Sequence, residues 1–357
     1  MNKLFKVVRW IAVVAVLAVA AGLALKIEWR SVSTLDLFWK GIVPLVPLLL
    51  LLTPHVWRGI CPVAVFNLLG DRLARLRQRT RPAHLSRETN RWIKLYGAVL
   101  AAALLWILVP LRLLLFNDSA WASLALVLAI AVVALAMGFA VPWKGGWCSS
   151  LCPVYPVEKF YGSAAVWMVK DSRCFPGNLP ESCYRCALHC LDVPPDEERY
   201  WQAMNGAPAE RLTSWTRDVF LGSFPGFVLA YLVLSNFGNL PRFAPSVRAV
   251  VAYGTFVLLM AASYLFYRVA QWALVGARTA EGRTLWARRV DLLMVLLAVN
   301  LYYLIGGVGM AEVASKLAGW EQQRFAISVS IVSAVLLVSL LWLHRAWRAN
   351  KPAWVRW

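Results

Sequence analysis

Residues 121–162 read WASLALVLAIAVVALAMGFAVPWKGGWCSSLCPVYPVEKFYG. From Trp121 to Val141 no residue is charged, and the run meets the ~20 residues that a helix needs to cross a bilayer. Pro142, Gly145 and Gly146 then break the pattern, and Cys148 and Cys152 follow in a C-x3-C-P arrangement. An apolar span closed by a cysteine–proline element is therefore the unit from which this chain is to be understood.

Working outward, seven further apolar runs repeat the first half of that unit. With Trp121 to Val141 they make eight predicted spans: Phe5 to Leu25, Leu37 to Thr53, Leu95 to Phe116, Val219 to Phe237, Val247 to Val269, Val290 to Met310 and Phe325 to Leu343 complete the set. Pro44 and Pro47 predict a kinked or partly re-entrant second span. Basic residues precede the first run as they would in a signal peptide, but its apolar stretch is long, and it is expected to be a retained anchor. With 60% hydrophobic and 15% charged residues among 357, the composition excludes a soluble globule with a polar shell. The expected class is an all-α polytopic membrane protein of about eight transmembrane helices, with a small loop-rich cytoplasmic lobe.

Charge placement orients the spans. Lys3, Lys6 and Arg9 precede the first span, and Arg72 to Lys94 follows the second with six further arginines between them. Arg268, Arg278, Arg283, Arg288 and Arg289 follow the sixth, and Arg345, Arg348, Lys351 and Arg356 follow the eighth. The alternate connections, Asn117 to Ala120 and Glu312 to Arg324, carry no basic excess. Positive-inside asymmetry then puts both termini and every cysteine motif in the cytoplasm, in a bacterial inner membrane. The net charge of +19 is accounted for by these loops and by anionic lipid, so no nucleic-acid partner is expected.

The chain divides into an anchor over 1–36, two-span units with cysteine–proline elements over 37–162, a cysteine-rich lobe over 163–218, and a four-helix membrane part over 219–357. Pro142 to Asp218 is nearly neutral in a strongly basic protein, with nine acids and eight bases. Within it Cys174, Cys183, Cys186 and Cys190 are spaced C-x8-C-x2-C-x3-C. Short intervals let several thiolates converge on one centre, and the three-residue gap before Cys190 favours a [4Fe–4S] cluster. Tetrahedral zinc is the rival occupant, although zinc sites more often use two separated cysteine pairs. Such a centre also staples a lobe with little core of its own.

Cys61-Pro62 repeats Cys152-Pro153 imperfectly, since Trp57 stands where a partner of Cys61 would fall. Proline after cysteine suits the first turn of a short interfacial helix, which Gly70 and Gly162 are expected to end. A second iron–sulfur or metal site would use Cys61, Cys148 and Cys152, with His55 as fourth ligand; the alternative is that the pair is vestigial. Cytosolic thiols stay reduced, so disulfides are not expected.

Gly146 to Pro153, the partial element Arg58 to Pro62 and the cysteine lobe resemble the membrane-bound ferredoxin-like proteins of the NapH and NosR type, over roughly residues 40–190. The resemblance implies cluster-binding cysteines at the cytoplasmic membrane face and electron transfer between the quinone pool and a partner redox protein, or a part in assembling a metalloenzyme. The chain departs from the family pattern at Trp57, in the C-x8-C interval, and at Leu191 where proline is usual. The expected role is thus a component of an oxidoreductase system, not a stand-alone catalyst.

Two other functions compete. A maturation or redox-sensing factor would use the same cluster. A transporter with a structural metal would place polar groups in the membrane, and Asn300 with Tyr302, Tyr303, Gly306, Gly307 and Gly309 is the one such group, with Arg112 near an outer end. Asn300 is more simply an interhelical hydrogen bond, and the glycines a close helix contact. No two of His55, His84, His189 and His344 are paired within the spans, which argues against a haem relay. The sequence carries no hydrolase triad or phosphate loop.

Overall fold

The apolar runs are helical, because in hydrocarbon only a helix or a closed barrel satisfies the backbone N–H and C=O groups. The computed structural model describes residues 3–53, 57, 60–77, 87–141, 146–161, 211–236, 244–276 and 280–348. Helix α1 (Lys3–Leu25) leads through a two-stranded hairpin, β1 (Glu28–Trp29) and β2 (Val32–Ser33), into α2 (Thr34–Leu52). Then come α3 (Pro62–Arg77), α4 (Arg87–Leu111), α5 (Ala120–Ala140), the short α6 (Tyr155–Tyr161), α7 (Arg211–Asn236), α8 (Pro245–Val275), α9 (Ala280–Ala318) and α10 (Arg324–Arg348). Among the described residues seven helical stretches are long and apolar enough to cross a membrane, and α1 adds a shorter apolar one, Trp10–Leu25. The protein is an all-α, multi-pass membrane protein.

Its apolar exterior follows from that environment. On α8, Val250 is 73% exposed and Leu258 69%, a face that lipid covers. Between helices lipid tails supply no competing hydrophobic drive, so close packing of small residues holds the bundle. At the α3–α5 crossing a methyl added to Gly70 would run into the Leu135 carbonyl, and one on Gly138 into the Asn67 carbonyl. Asn67 donates from Nδ2 to the Ala134 carbonyl across the same contact, at 3.1 Å. The α7–α8 crossing is built alike: Gly226 lies against the Leu259 carbonyl, and Ser263 donates to the Gly222 carbonyl at 2.7 Å.

The structure revises several expectations. Gly70 does not end a short helix; α3 runs on to Arg77, and the missing side chain serves the crossing with α5. In the second element Pro153 precedes the helix, which begins at Tyr155, whereas Pro62 is the first residue of α3 as expected. The second span is one continuous helix from Thr34, with π-helical winding over Leu37–Ile42 just before Pro44. Ser33 caps it, accepting from the Asp36 N–H at 3.0 Å. Helix α7 starts at Arg211, inside the stretch read as lobe.

Asn300 behaves as expected, donating to Ser339 Oγ of α10 at 3.0 Å and to the Leu296 carbonyl at 2.8 Å. The glycines of α9 meet neighbours closely: a Cβ on Gly307 would stand 3.0 Å from Val332, and one on Gly309 3.2 Å from Lys40. Tyr303, fully buried, donates to the Pro44 carbonyl at 2.5 Å.

Candidate functional site

Cys61, Cys148 and Cys152 lie among the described residues; His55 and the four cysteines Cys174, Cys183, Cys186 and Cys190 lie outside them. Cys61 directly precedes α3, its N–H donating to the Trp57 carbonyl at 2.8 Å. Cys148 sits in a π-helical turn, Trp147–Leu151, whose buried Ser150 hydroxyl bonds the Gly146 carbonyl. Cys152 closes that turn with its N–H on the Trp147 carbonyl at 2.9 Å, and its own carbonyl accepts from the Tyr155 N–H at 2.9 Å, starting α6.

The fold brings Cys61 and Cys152 into electrostatic range of each other. Enclosure by the surrounding atoms pushes the Cys152 thiol up from its ordinary pKa, and the Cys61 thiolate pushes it the same way. All three of these cysteines are half-buried, and none is in a disulfide. Among the described residues no group of three or more histidine, cysteine, aspartate or glutamate side chains gathers to hold a metal. Two soft thiols suit iron–sulfur or zinc chemistry, but as described they are two donors and not a complete site.

A dense core backs this end of the bundle. Tyr155, Val157, Phe160 and Tyr161 of α6 pack with Leu50, Leu51, Ala101, Phe220 and Trp342, and Trp57 and Cys152 border the group. Phe160 stacks on Phe220 with centroids 5.7 Å apart, and Trp342 donates from its indole N–H to the Tyr161 carbonyl at 2.8 Å. Burial raises the Tyr161 phenol, with Tyr302 adding to it. The end of α6 and the first turns of α7 are thereby held side by side.

Next to that core lies a polar cluster that the sequence did not reveal. Tyr267 donates to Asp291 Oδ1 at 2.9 Å and receives a bond from Gln271 at 2.5 Å, while Arg217 pairs with Asp218 at 2.5 Å. Asp291 is only 3% exposed. Sequence reasoning assigned it no role; its one legible signal is an acid at the very start of a long apolar run.

The opposite end of the bundle holds a cavity of about 520 Å³ between α2, α7, α8, α9, the residues that follow α4 and the first residue of α10. Arg112 is fixed there by neutral partners. It donates to the Trp39 carbonyl at 2.9 Å and to Asn117 Oδ1 at 3.1 Å. Its guanidinium also lies over the rings of Trp39 and Tyr231, 4.6 and 5.2 Å from their centroids. Lys40 in the same wall is paired with Asp36 at 2.9 Å and with Glu312 at 3.3 Å, and Arg324 reaches Glu312 at 3.4 Å. Sequence reasoning singled out Arg112 and Tyr302 but missed Trp39, Tyr231 and Arg248, which only the folding of distant spans assembles.

No family model, no curated protein and no solved structure matches this chain.

Proposed function

We propose that the chain is a membrane-bound iron–sulfur electron-transfer protein that relays electrons between the quinone pool and a partner redox protein. The observation that supports this most is the convergence of its cysteine elements. Cys61 and Cys152 come from different parts of the chain and approach each other at one end of the bundle. Phe160 of α6 stacks on Phe220 of α7, the two described helices that flank segment 162–210 in sequence, and this segment contains Cys174, Cys183, Cys186 and Cys190. The four would be the thiolate ligands of a [4Fe–4S] cluster, which supplies one-electron redox chemistry when bound. Basic-loop asymmetry gives this end as the cytoplasmic side of a bacterial inner membrane. The protein's own part is to hold thiolates, to exclude water with the aromatic core around α6, and to present the lobe to a partner.

The test uses the full-length protein in detergent, purified without oxygen. A short-chain menaquinol added to the oxidised protein is expected to bleach the visible cluster absorption, and the Cys186→Ala protein is expected to show no such change. Unaltered absorption on adding quinol, with dithionite still bleaching the cluster, would refute the quinone relay and favour the sensing or maturation role.

A further inference from the structure

The cavity at the end opposite the cysteines has a charge imbalance on its walls. Among the described residues seven charged side chains line it: the cations Lys40, Arg112, Arg248 and Arg324, and the acids Asp36, Asp118 and Glu312. Four minus three leaves one positive charge, but the pairing is more informative than the sum. Asp36 and Glu312 are engaged by Lys40 and Arg324, and Glu312 also by Lys316 at 3.2 Å. Arg112 is bound by a carbonyl oxygen, an amide oxygen and two rings, all of them neutral. Arg248 is half-buried, and its Nε is shielded from solvent without an acceptor among the described residues. A shielded guanidinium N–H without an acceptor costs free energy, because the group is desolvated and nothing repays it. Asp118 is the remaining acid on the wall.

The lining also includes the apolar side chains Leu113, Leu114, Leu234, Leu304 and Ile305. A volume of about 520 Å³ suits a small-molecule head group with part of its apolar body, sites of this kind spanning about 300–1,000 Å³. Guanidinium groups bind phosphate through parallel N–H bonds, and an arginine already clamped in one orientation gives up little entropy in doing so.

We propose that this cavity binds a phosphate oxyanion between Arg112 and Arg248, with the neighbouring leucines taking the apolar part of the molecule that carries it. The phosphate belongs either to an anionic lipid head group or to a free ion, and the experiment separates the two. The full-length protein in detergent is titrated calorimetrically with dihexanoyl phosphatidylglycerol, with dihexanoylglycerol, which lacks the phosphate, and with inorganic phosphate. Arg248→Gln is the test variant, since this side chain makes no hydrogen bond or ion pair among the described residues whose loss would unfold the protein. An unchanged melting temperature without ligand verifies that. Arg112→Lys keeps the charge but loses the fork.

Saturable binding of phosphatidylglycerol but not of dihexanoylglycerol, weakened about tenfold by Arg248→Gln as expected for one lost charge-assisted bond, supports the site with lipid as its source. Binding of inorganic phosphate with the same dependence supports it with the free ion sufficing. Equal binding of dihexanoylglycerol, no binding of either phosphate, or affinities unchanged by both Arg248→Gln and Arg112→Lys would overturn it.

Discussion

At the scale of single residues, Cys152 shows how position sets reactivity. Its thiol is enclosed and stands beside Cys61, and both effects favour the neutral form. A thiol whose pKa is raised by folding contributes stability below the ordinary thiol value near about 8.5 and loses it as pH climbs towards the folded value. In chelator-treated protein, iodoacetamide should therefore modify Cys152 more slowly than an unfolded control at pH 8 to 9, with the rate rising only at higher pH. Peptide mass spectrometry over a pH series measures it; a Cys152 profile matching the unfolded control would contradict the enclosure described. The spacing of Cys148 and Cys152 was legible in the sequence, and so was the pairing of Cys152-Pro153 with Cys61-Pro62. The nearness of Cys61 to Cys152 was expected from that repeat, as parts of one shared site; the crossing of α3 and α5 that brings them together was not legible. Asp291 was hidden for a related reason. Its partner Tyr267 comes from another span, and a buried acid beside two arginines looks like an interfacial charge until the helices are packed.

At the scale of elements, the apolar runs foretold the helices well, since length and lack of charge are local properties. Helix ends were less legible. Gly70 looked like a stop signal, yet it lies within α3 because the backbone of α5 comes too close there for a side chain. A glycine that ends a helix and one that admits a neighbour look the same in a single sequence. They are distinguished by substitution. Gly138→Ala gains at most about 1 kcal/mol of helix propensity, but its methyl would meet the Asn67 carbonyl, which cannot move without shifting α3. A net loss of about 1–3 kcal/mol is expected, read as a lower melting temperature. Gly254→Ala on α8 meets nothing within 4 Å and should leave the melting temperature unchanged or raised. Equal effects of the two substitutions would show that the α3–α5 crossing is not as close as described.

At the scale of the whole molecule, the protein is polar at its two ends and apolar around its girth. One end gathers the cysteine–proline elements, the aromatic core of α6 and the Asp291 cluster. The other end holds the arginine-lined cavity. The multi-pass architecture could be read from composition alone, whereas the cavity could not, since its walls come from distant parts of the chain, from Leu35 to Arg324. The central claim is that the cysteine-rich segment carries an iron–sulfur cluster. It is tested most directly by iron and acid-labile sulfide content, together with an EPR spectrum of dithionite-reduced protein purified without oxygen. About four iron and four sulfide per chain are expected, with a cubane signal that Cys186→Ala abolishes. Zinc without sulfide would contradict the claim and put a transporter with a structural metal in its place.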